Sequence, residues 1–389
     1  MPDYIVRPYD VLFFRGNKSF HFGQWYTEGV FPPYPSTFQG FIRSKILQDN
    51  GLIGPSGELK NDEKAKCLIG DDKDIRISII GPYLIDTENN HIYFKTPSDL
   101  LRDAKGCDTC HSTFPSGDEP LESDLRFNLF CPDIPHGKLN NLYPPEYISL
   151  DNLITYRTNL KDIKIQSFKP LFTEDRVVIG IDEEKLKGKD RTVQTGRFCV
   201  TPYNRLKEGI GFYCNVDKDI KEGSLKFGSE SHLVHIERLD SINLIEEKLK
   251  ESRDTLIQGI LKSKTFRMVL LQHGIFENGW LPFSFTEGDN KLIATVNGLR
   301  IELIFAFIKA PIKISGYSIL RNRTHTQGSI ILKPMVNAVP VGSVYMFRII
   351  DGCNEDNIRQ FVQAYDNKKI GYNSYSSMGY NHVILAIGA

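Results

Sequence analysis

The chain has 389 residues, with 48 basic and 48 acidic residues, 40% hydrophobic residues and seven cysteines. This length predicts about two domains, and the hydrophobic content excludes global disorder. No apolar run approaches the ~20 residues of a membrane span, and the amino end does not have the build of a signal peptide. We therefore expect a soluble, cytoplasmic protein with reduced cysteines and no membrane partner. Zero net charge disfavours a protein that coats nucleic acid non-specifically.

The zero net charge is a balance between segments of opposite sign. Residues 49–124 contain 16 acidic and 8 basic residues, whereas residues 185–207 contain seven basic residues and one acidic residue. Residues 309–348 contain six basic residues and no acidic residue. Glycines and aromatic residues are interspersed with these bases, which suits a nucleic acid with exposed bases. A solvated protein face is the alternative for either basic segment.

In the first half, residues 4–14 are predicted to form a strand that ends in a turn at residues 15–18. Ser36 is predicted to cap a helix over residues 37–48, because its apolar residues fall on one helical face. Later segments are predicted to form a hairpin (75–85 with 91–95), an irregular insertion (98–150) and short strands (176–181, 211–217 and 233–236).

A domain boundary is predicted between residues 238 and 265, which gives domains at 1–240 and 241–389. The second half is predicted to contain strands at 266–271, 299–307, 343–350 and 383–387, and a helix at 354–365. Strands separated by single helices predict an α+β sandwich. Two copies of a ferredoxin-like β-α-β-β-α-β unit fit this order.

One cysteine motif could bind a metal. Cys107-Asp-Thr-Cys110-His111 matches the c-type haem attachment pattern, but haem is attached outside the cytoplasm. Zinc is the better metal hypothesis, with Cys131 as a further ligand, because a tetrahedral site would stabilise an irregular insertion. Reduced loop cysteines are the default, so no cofactor is expected.

The sequence carries no established catalytic motif. Metalloprotease, nucleophile-elbow, Walker and dinucleotide patterns do not occur. The segment Gly70-Asp71-Asp72 resembles the metal-binding turn of palm-type polymerases, but its charged surroundings favour a solvated loop. Five histidines could act as general bases, although structural or ligand-contacting roles are favoured: His21, His232, His235, His273 and His325.

Four glycine-containing segments are informative as a set. Three lie beside predicted strands, and the fourth precedes a pair of arginines. Such loops expose N–H groups to phosphates and carry Tyr or Arg for bases. The segments supply Arg15, Gly16, Asn17 and Lys18; Gly228 and Ser229; Ser315, Gly316 and Tyr317, followed by Arg321 and Arg323; and Met378 and Gly379. Together they predict a surface that follows an RNA backbone.

Motifs in one order span almost the whole chain, at residues 7–20, 31–45, 178–182, 196–209, 316–318, 333–334, 338–347 and 379. As a set they resemble RAMP proteins of type III CRISPR systems, specifically the third subunit of the type III-B Cmr complex. Gly16-Asn17 stands where that family often has Asp-Gly. The motif at residues 107–111 lies outside the family pattern, as does the acidic segment.

The resemblance implies two ferredoxin-like RAMP domains with a β-hairpin thumb at about residues 180–212. It implies a non-catalytic subunit at the foot of the effector complex that holds the 5′ repeat-derived tag of the CRISPR RNA (crRNA). The implied neighbours are the large palm-domain subunit and the first copy of the repeating backbone subunit, with target RNA met through the complex. In this family RNA cleavage belongs to the backbone subunit and cyclic-nucleotide synthesis to the large subunit.

Further residues fit this role. Ser36, Thr37 and Gln39 lie at the start of a predicted helix, where free N–H groups favour a phosphate. Arg43 is expected to reach the same site. In the thumb, phosphates would be screened by Lys189, Arg191 and Arg197, and a base would stack on Phe198 or Tyr203.

Two other functions fit the sequence. One is a RAMP endoribonuclease that processes precursor RNA, with His21 or His325 as the general base. The other is a protein-interaction module stabilised by zinc, with no RNA role. Residues 49–124 are expected to face a basic partner subunit rather than RNA.

Overall fold

The structure is a computed structural model. It describes residues 1–16, 29–54, 59–71, 74–102, 109–112, 115–120, 129–132, 144–159, 163–181, 193–288, 290–316, 333–371 and 374–388. Only the backbone is described at residues 109, 111–120, 130–132, 179–181, 193–199 and 241–242.

The helices and strands follow in chain order. The helices are α1 (Pro35–Asp49), α2 (Asp62–Ile69), α3 (Leu150–Thr158), α4 (Leu244–Lys250), α5 (Arg253–Ser263), α6 (Glu355–Tyr365) and α7 (Ser374–Ser377). The strands of the first half are β1 (Pro2–Pro8), β2 (Ile79–Asp86), β3 (His91–Lys95), β4 (Leu100–Arg102), β5 (Thr109–Ser112), β6 (Pro115–Pro120), β7 (Phe130–Pro132), β8 (Tyr147–Ser149), β9 (Ile163–Lys164), β10 (Leu171–Ile181), β11 (Val193–Leu206), β12 (Ile210–Val216), β13 (Gly223–Phe227) and β14 (His232–Ile242). Those of the second half are β15 (Thr265–Leu270), β16 (Thr286–Gly288), β17 (Lys291–Val296), β18 (Leu299–Phe307), β19 (Ile312–Ile314), β20 (Val336–Ala338), β21 (Val344–Asp351), β22 (Lys368–Lys369) and β23 (His382–Ile387). No helix in these ranges combines the length and apolar character needed to cross a membrane.

Two seven-stranded sheets form the framework. The first has the order β13-β14-β1-β12-β2-β3-β8, and the second has the order β16-β17-β18-β21-β15-β23-β22. All pairings between the described strands are antiparallel. The structure therefore has the α+β character that the sequence predicts, with large antiparallel sheets.

Three apolar clusters hold these layers together. The first packs α1 and α2 on one face of the first sheet, with Phe38 and Ile42 fully buried. The second joins the opposite face of that sheet to the second sheet, through residues such as Ile5 and Ile384. The third packs α5 and α6 on the far face of the second sheet. Burial of this apolar surface is the main force that orders the four layers.

Helix α1 begins one residue before the predicted cap. Tyr34 is the N-cap residue in an extended conformation, and Pro35 occupies the first helical position. Proline is favoured there because its ring fixes φ and its missing N–H is not needed. Ser36 therefore lies inside the helix, so its prediction as the cap residue is wrong.

The insertion at 98–150 is more regular than predicted. It contains the short strands β4 to β8 and leads into α3. Strand β8 extends the first sheet beside β3, and Leu100 and Cys110 enter the core between the sheets. Strands of three to six residues are too short to show a clear alternation in sequence.

A long two-stranded hairpin leaves the first sheet. Strand β10 pairs with β11 from Leu171 opposite Leu206 to Ile181 opposite Val193. The strand predicted at 211–217 is confirmed as β12, and it lies within the first sheet rather than in the hairpin. Much of the basic segment therefore lies on β11. Residues 185–192 of the segment lie outside the described ranges.

Candidate nucleic-acid interface

The base of the β10–β11 hairpin lies against the segment that follows β1. Leu12 and Asn204 each donate a backbone N–H to the other's carbonyl oxygen, both at 2.8 Å. The ring centroids of Phe13 and Tyr203 lie 5.6 Å apart. Arg15, two residues after Phe13 in the chain, is exposed. Arg15 and Gly16 therefore lie near Tyr203, although they are far from it in sequence.

The turn between β13 and β14 joins the same region. Ser229 donates its N–H to the carbonyl oxygen of Phe13 at 2.9 Å. Gly228 has φ of 78°, and a Cβ there would lie 3.0 Å from that same oxygen, so the close approach favours glycine. We use the name hairpin-base surface for Arg15, Gly16, Gly228 and Ser229. Tyr203, predicted to stack on a base, is only 1% exposed and packs with Val11 and Phe13 in the interior.

An ion-pair network borders the hairpin-base surface. Arg205 donates to Glu174 and, at 2.7 Å, to Asp10, while Arg176 lies 3.2 Å from Glu174 and 3.7 Å from Asp10. Burial alone would raise the pKa of Asp10, but Arg205 and Arg176 hold it below its ordinary value. The Arg205 hydrogen bond is also the main cause of the lowered pKa of Glu174.

This network changes the charge map derived from the sequence. Arg205 is one of the seven bases of residues 185–207, but two carboxylates share its charge. Charge counts along the chain missed this because Asp10 lies on the segment after β1. In the sequence, the segment contains only one acidic residue, which predicted positive charge without carboxylate partners.

A second group of predicted residues meets at the start of α1. The hydroxyl groups of Ser36 and Tyr380 lie 2.9 Å apart. Gln39 donates to the carbonyl oxygen of Ile77 at 2.9 Å and to that of Ser377 at 3.5 Å. Ile314, the residue before Ser315, packs in one cluster with Met378 and Tyr380. Thr37 is exposed at the same helix start.

Several members of this second group are interior residues. Gln39 is 1% exposed, and Arg43 and Met378 are each 4% exposed. Gly379 has φ of 104°, and a Cβ there would lie 2.8 Å from the carbonyl oxygen of Gly81. Gln39 and Met378 connect the two halves of the protein. The more accessible described residues of this group are the exposed Thr37 and the half-buried Ser315 and Gly316.

An aromatic cluster connects α1 with the hairpin-base surface. The ring of Phe227, directly before Gly228, lies 4.9 Å from that of Phe14, 5.6 Å from that of Phe38 and 4.7 Å from that of Phe41. Phe14 directly precedes Arg15. The two groups of predicted residues are therefore connected through one packed core.

The remaining predicted residues lie outside the described ranges, on a strand of which only the backbone is described, or at the end of a described range. Outside the described ranges lie Asn17, Lys18, His21, Cys107, Lys189, Arg191, Tyr317, Arg321, Arg323 and His325. Arg197 and Phe198 lie on β11, where only the backbone is described. Ser315 and Gly316 end a described range, and Lys333 donates its N–H to the Gly316 carbonyl at 2.7 Å.

The zinc hypothesis keeps its status as a prediction. Cys110 is fully buried on β5, in the core between the sheets. The side chains of His111 on β5 and Cys131 on β7 are not described. Among the residues whose side chains the structure describes, no group of three His, Cys, Asp or Glu could hold a metal.

The described histidines make structural contacts. Burial lowers the pKa of His273 to about 4 and that of His382 to about 3, so both rings are neutral near pH 7. The Nδ1 atom of His273 accepts the N–H of Val341 at 3.0 Å. The ring of His232 packs at 5.5 Å from that of Tyr203.

Comparisons with solved structures give distant matches. A chain in the cryo-EM structure of the type III-B Cmr-beta complex bound to cognate target RNA is 14% identical with a TM-score of 0.46, and the match covers 98% of this chain and 96% of that chain. A chain in the complex bound to cognate target RNA and AMPPnP, state 1, is 14% identical with a TM-score of 0.48, at 98% and 95% coverage. No curated protein matches the sequence.

The family comparison is more decisive. The profile of the CRISPR-associated protein family Cas_Cmr3 matches residues 4–385. A match of this extent defines the class as CRISPR-associated proteins. More narrowly, the chain belongs to the Cas_Cmr3 family, whose members are subunits of type III-B Cmr effectors. The resemblance that the ordered motifs predict is therefore confirmed.

Proposed function

We propose that this chain is a non-catalytic subunit of a type III-B effector that holds the 5′ repeat-derived tag of the crRNA beside the large palm-domain subunit. Family membership supports the effector role. The observation that carries the RNA role is the convergence of Arg15, Gly16, Gly228 and Ser229 at the base of the hairpin, where the buried ring of Tyr203 packs against Phe13. Glycine backbones let phosphates approach closely, and an exposed arginine pairs with phosphates or stacks on bases.

The predicted site residues divide into two roles in this proposal. Exposed residues such as Arg15 and Thr37 contact RNA. Buried residues such as Gln39, Arg43 and Met378 hold the contacting segments in place. Lys189, Arg191 and Arg197 add positive charge in the basic segment, and Arg321 and Arg323 add it after β19, where Tyr317 offers a ring to a base. Binding needs no cofactor.

We also propose that each seven-stranded sheet is built on a ferredoxin-like unit, at residues 1–240 and 241–389. In each, the first strand lies between the third and the fourth, with the second strand outside the third: β14-β1-β12-β2 and β23-β15-β21-β18. The first unit keeps only the first crossover helix, α1, and the second keeps only the last, α6.

The remaining partners are the repeating backbone subunit and, through the complex, target RNA. Residues 49–124 would face a basic partner. The exposed Glu63 on α2 and Asp74 support that assignment. Asp99 does not, because it is buried and accepts a hydrogen bond from Arg267.

Binding of labelled crRNA to the purified chain tests the proposal. We expect tight binding of RNA with the 5′ tag, weaker binding of RNA without it, and affinity that falls steeply with salt. Arg15→Glu should weaken binding, whereas Arg359→Glu, in an exposed pair on α6, should not. Absence of binding, or affinity independent of salt, would contradict the proposal. Metal-independent cleavage of repeat RNA that is lost in His21→Ala would favour the endoribonuclease.

A further inference from the structure

One end of the first sheet exposes a mixed aromatic and polar face. In β13, β14 and β1, the side chains of Leu225, Val234 and Val6 enter the first core. Because side chains alternate along a strand, their neighbours Ser224, His235 and Arg7 lie on the opposite face. Strand pairing places Ser224 opposite His235 and His235 opposite Arg7.

Two large side chains on this face are exposed to solvent. Tyr9 is 61% exposed and Leu233 is 48% exposed. Tyr9 donates its N–H to the Leu233 carbonyl oxygen at 3.1 Å, so Tyr9, directly after β1, lies beside Leu233 on β14. Lys226, also exposed, lies opposite Leu233 on β13. A tyrosine ring, an aliphatic side chain and an ammonium group therefore lie side by side.

Hydrogen bonds orient the Tyr9 side chain. Its hydroxyl lies 2.9 Å from the Ser224 hydroxyl and 3.5 Å from Nδ1 of His235. The Ser224 hydroxyl lies 3.4 Å from the same nitrogen, and the Tyr9 and His235 rings meet edge to face at 6.3 Å. A ring held at its polar end loses less conformational entropy when a ligand stacks on it.

This face continues the hairpin-base surface. His232, the residue before Leu233, packs against Tyr203. Asp10, the residue after Tyr9, pairs with Arg205 of the hairpin. The turn that joins β13 to β14 contains Gly228 and Ser229. We use the name Tyr9 patch for Arg7, Tyr9, Ser224, Lys226, Leu233 and His235.

We propose that the Tyr9 patch binds one unpaired nucleobase of single-stranded RNA, stacked on the ring of Tyr9 beside Leu233. Lys226 then faces the phosphate, and Ser224 and His235 offer hydrogen bonds to the base edge or the 2′-hydroxyl. This inference rests on the proposed RNA-binding function and adds a subsite to it.

The dimensions of the patch favour a base over a protein partner. Stable protein interfaces bury about 1,200–2,000 Å² around an apolar centre. Only two large apolar side chains are exposed on this patch. Charged or polar groups flank them: Lys226, Ser224, His235 and Arg7, which is paired with Glu237. One aromatic ring with a cation nearby suffices for a stacked nucleotide.

Variants at Tyr9 test the inference in the full-length chain with fluorescently labelled, tagged crRNA. Tyr9→Ala is expected to weaken binding about tenfold, since base stacking on an aromatic ring contributes that order of affinity. Tyr9→Phe, which keeps the ring, should bind within about threefold of the parent chain. Ile350→Ala is the matched control, because Ile350 is 43% exposed on the second sheet and should bind RNA as the parent chain does.

RNA with a single abasic nucleotide at each tag position makes the test specific for a base. At one position, the abasic change should weaken binding to the parent chain and have no further effect on Tyr9→Ala. Additive effects at every position would overturn the subsite while RNA binding stands. Equal RNA affinity of Tyr9→Ala and the parent chain, with weakened assembly with the large subunit, would assign the patch to a protein. If the parent chain does not bind tagged RNA, both proposals are overturned.

Discussion

The hairpin-base surface and the seam between the two sheets use charged residues in opposite ways. In the seam, the Arg157 and Asp366 side chains form an ion pair in which both are fully buried. At the hairpin base, Arg205 and Asp10 form an ion pair in which the side chains are 39% and 49% exposed. The same chemistry therefore has different consequences in the two regions.

The two regions differ in whether water and salt can replace a lost ion-pair partner. A buried charge that loses its partner has no solvent to compensate it, so the seam pairs are fixed parts of the fold. Exposed pairs contribute little to stability because water and salt screen them. An arginine in such a pair can exchange a carboxylate for a phosphate at small cost. The seam therefore sets the shape of the molecule, and the hairpin base supplies adaptable charge.

Removal of the Asp366 charge should have the largest effect. Asp366→Asn keeps the shape but leaves the buried Arg157 guanidinium without its carboxylate, and Arg253 loses the same partner. We expect the free energy of unfolding to fall by about 3–5 kcal/mol. Urea denaturation followed by tryptophan fluorescence measures it.

Asp151→Asn is the matched control for that variant. Asp151 pairs with Lys248 at 3.0 Å, with side chains 52% and 37% exposed, and its loss should change stability by at most about 1 kcal/mol. Equal effects of the two variants would remove the distinction between the seam and the surface.

Acidification should have the second largest effect, because it lowers the stability of the seam. His273 and His382 have ordinary pKa values of 6.5, which burial in the folded state lowers to about 4 and about 3. The unfolded chain therefore binds protons first, so the free energy of unfolding falls as the pH drops below 6.5. Between pH 6.5 and about 5 the two rings together should account for roughly 3 kcal/mol.

Denaturation at several pH values checks this expectation. The double variant His273→Gln, His382→Gln should show a flatter pH dependence in that window than the parent chain. An unchanged slope would mean that the two buried rings do not control acid sensitivity.

The smallest expected effect lies at the hairpin base. Glu174→Gln removes one of the two carboxylates that Arg205 and Arg176 share, leaves Asp10 as their remaining partner, and makes both arginines more available to phosphate. We expect RNA affinity to rise roughly threefold and the slope of log affinity against log salt to steepen by about one unit. Glu355→Gln, in an exposed pair with Arg359 on α6, is the control. Weaker RNA binding by Glu174→Gln would show that the pair positions the hairpin instead.

Strongly patterned elements could be predicted from the sequence. The strand at 299–307 has the bounds of β18, and the helix at 354–365 is α6 with its Asn354 cap, which accepts the N–H of Asn357 at 2.9 Å. Helices α2, α3, α4 and α5 were missed. They are short or rich in charge, so their apolar spacing is weak, and their stability comes from tertiary packing.

The candidate site was predicted in composition but not in accessibility. The glycine loops identified Gly228 and Gly379, because positive φ and close backbone approach are visible as glycine in a sequence. Burial of Gln39 and Met378 could not be predicted, because it depends on the second half packing against the start of α1. Arg43 and Tyr203 are buried as well. Exposure of Tyr9 could not be predicted either, because Tyr9 lies in a segment predicted to be a strand. Its exposure depends on how far the second sheet covers that face of the first sheet.

Hydrogen–deuterium exchange of the full-length chain, with and without tagged crRNA, tests the central claim most directly. The account predicts slower exchange on RNA binding in residues 10–16, 200–206 and 223–235, with α5 and α6 unchanged. RNA binding that protects the far face of the second sheet and leaves these three segments unchanged would contradict it.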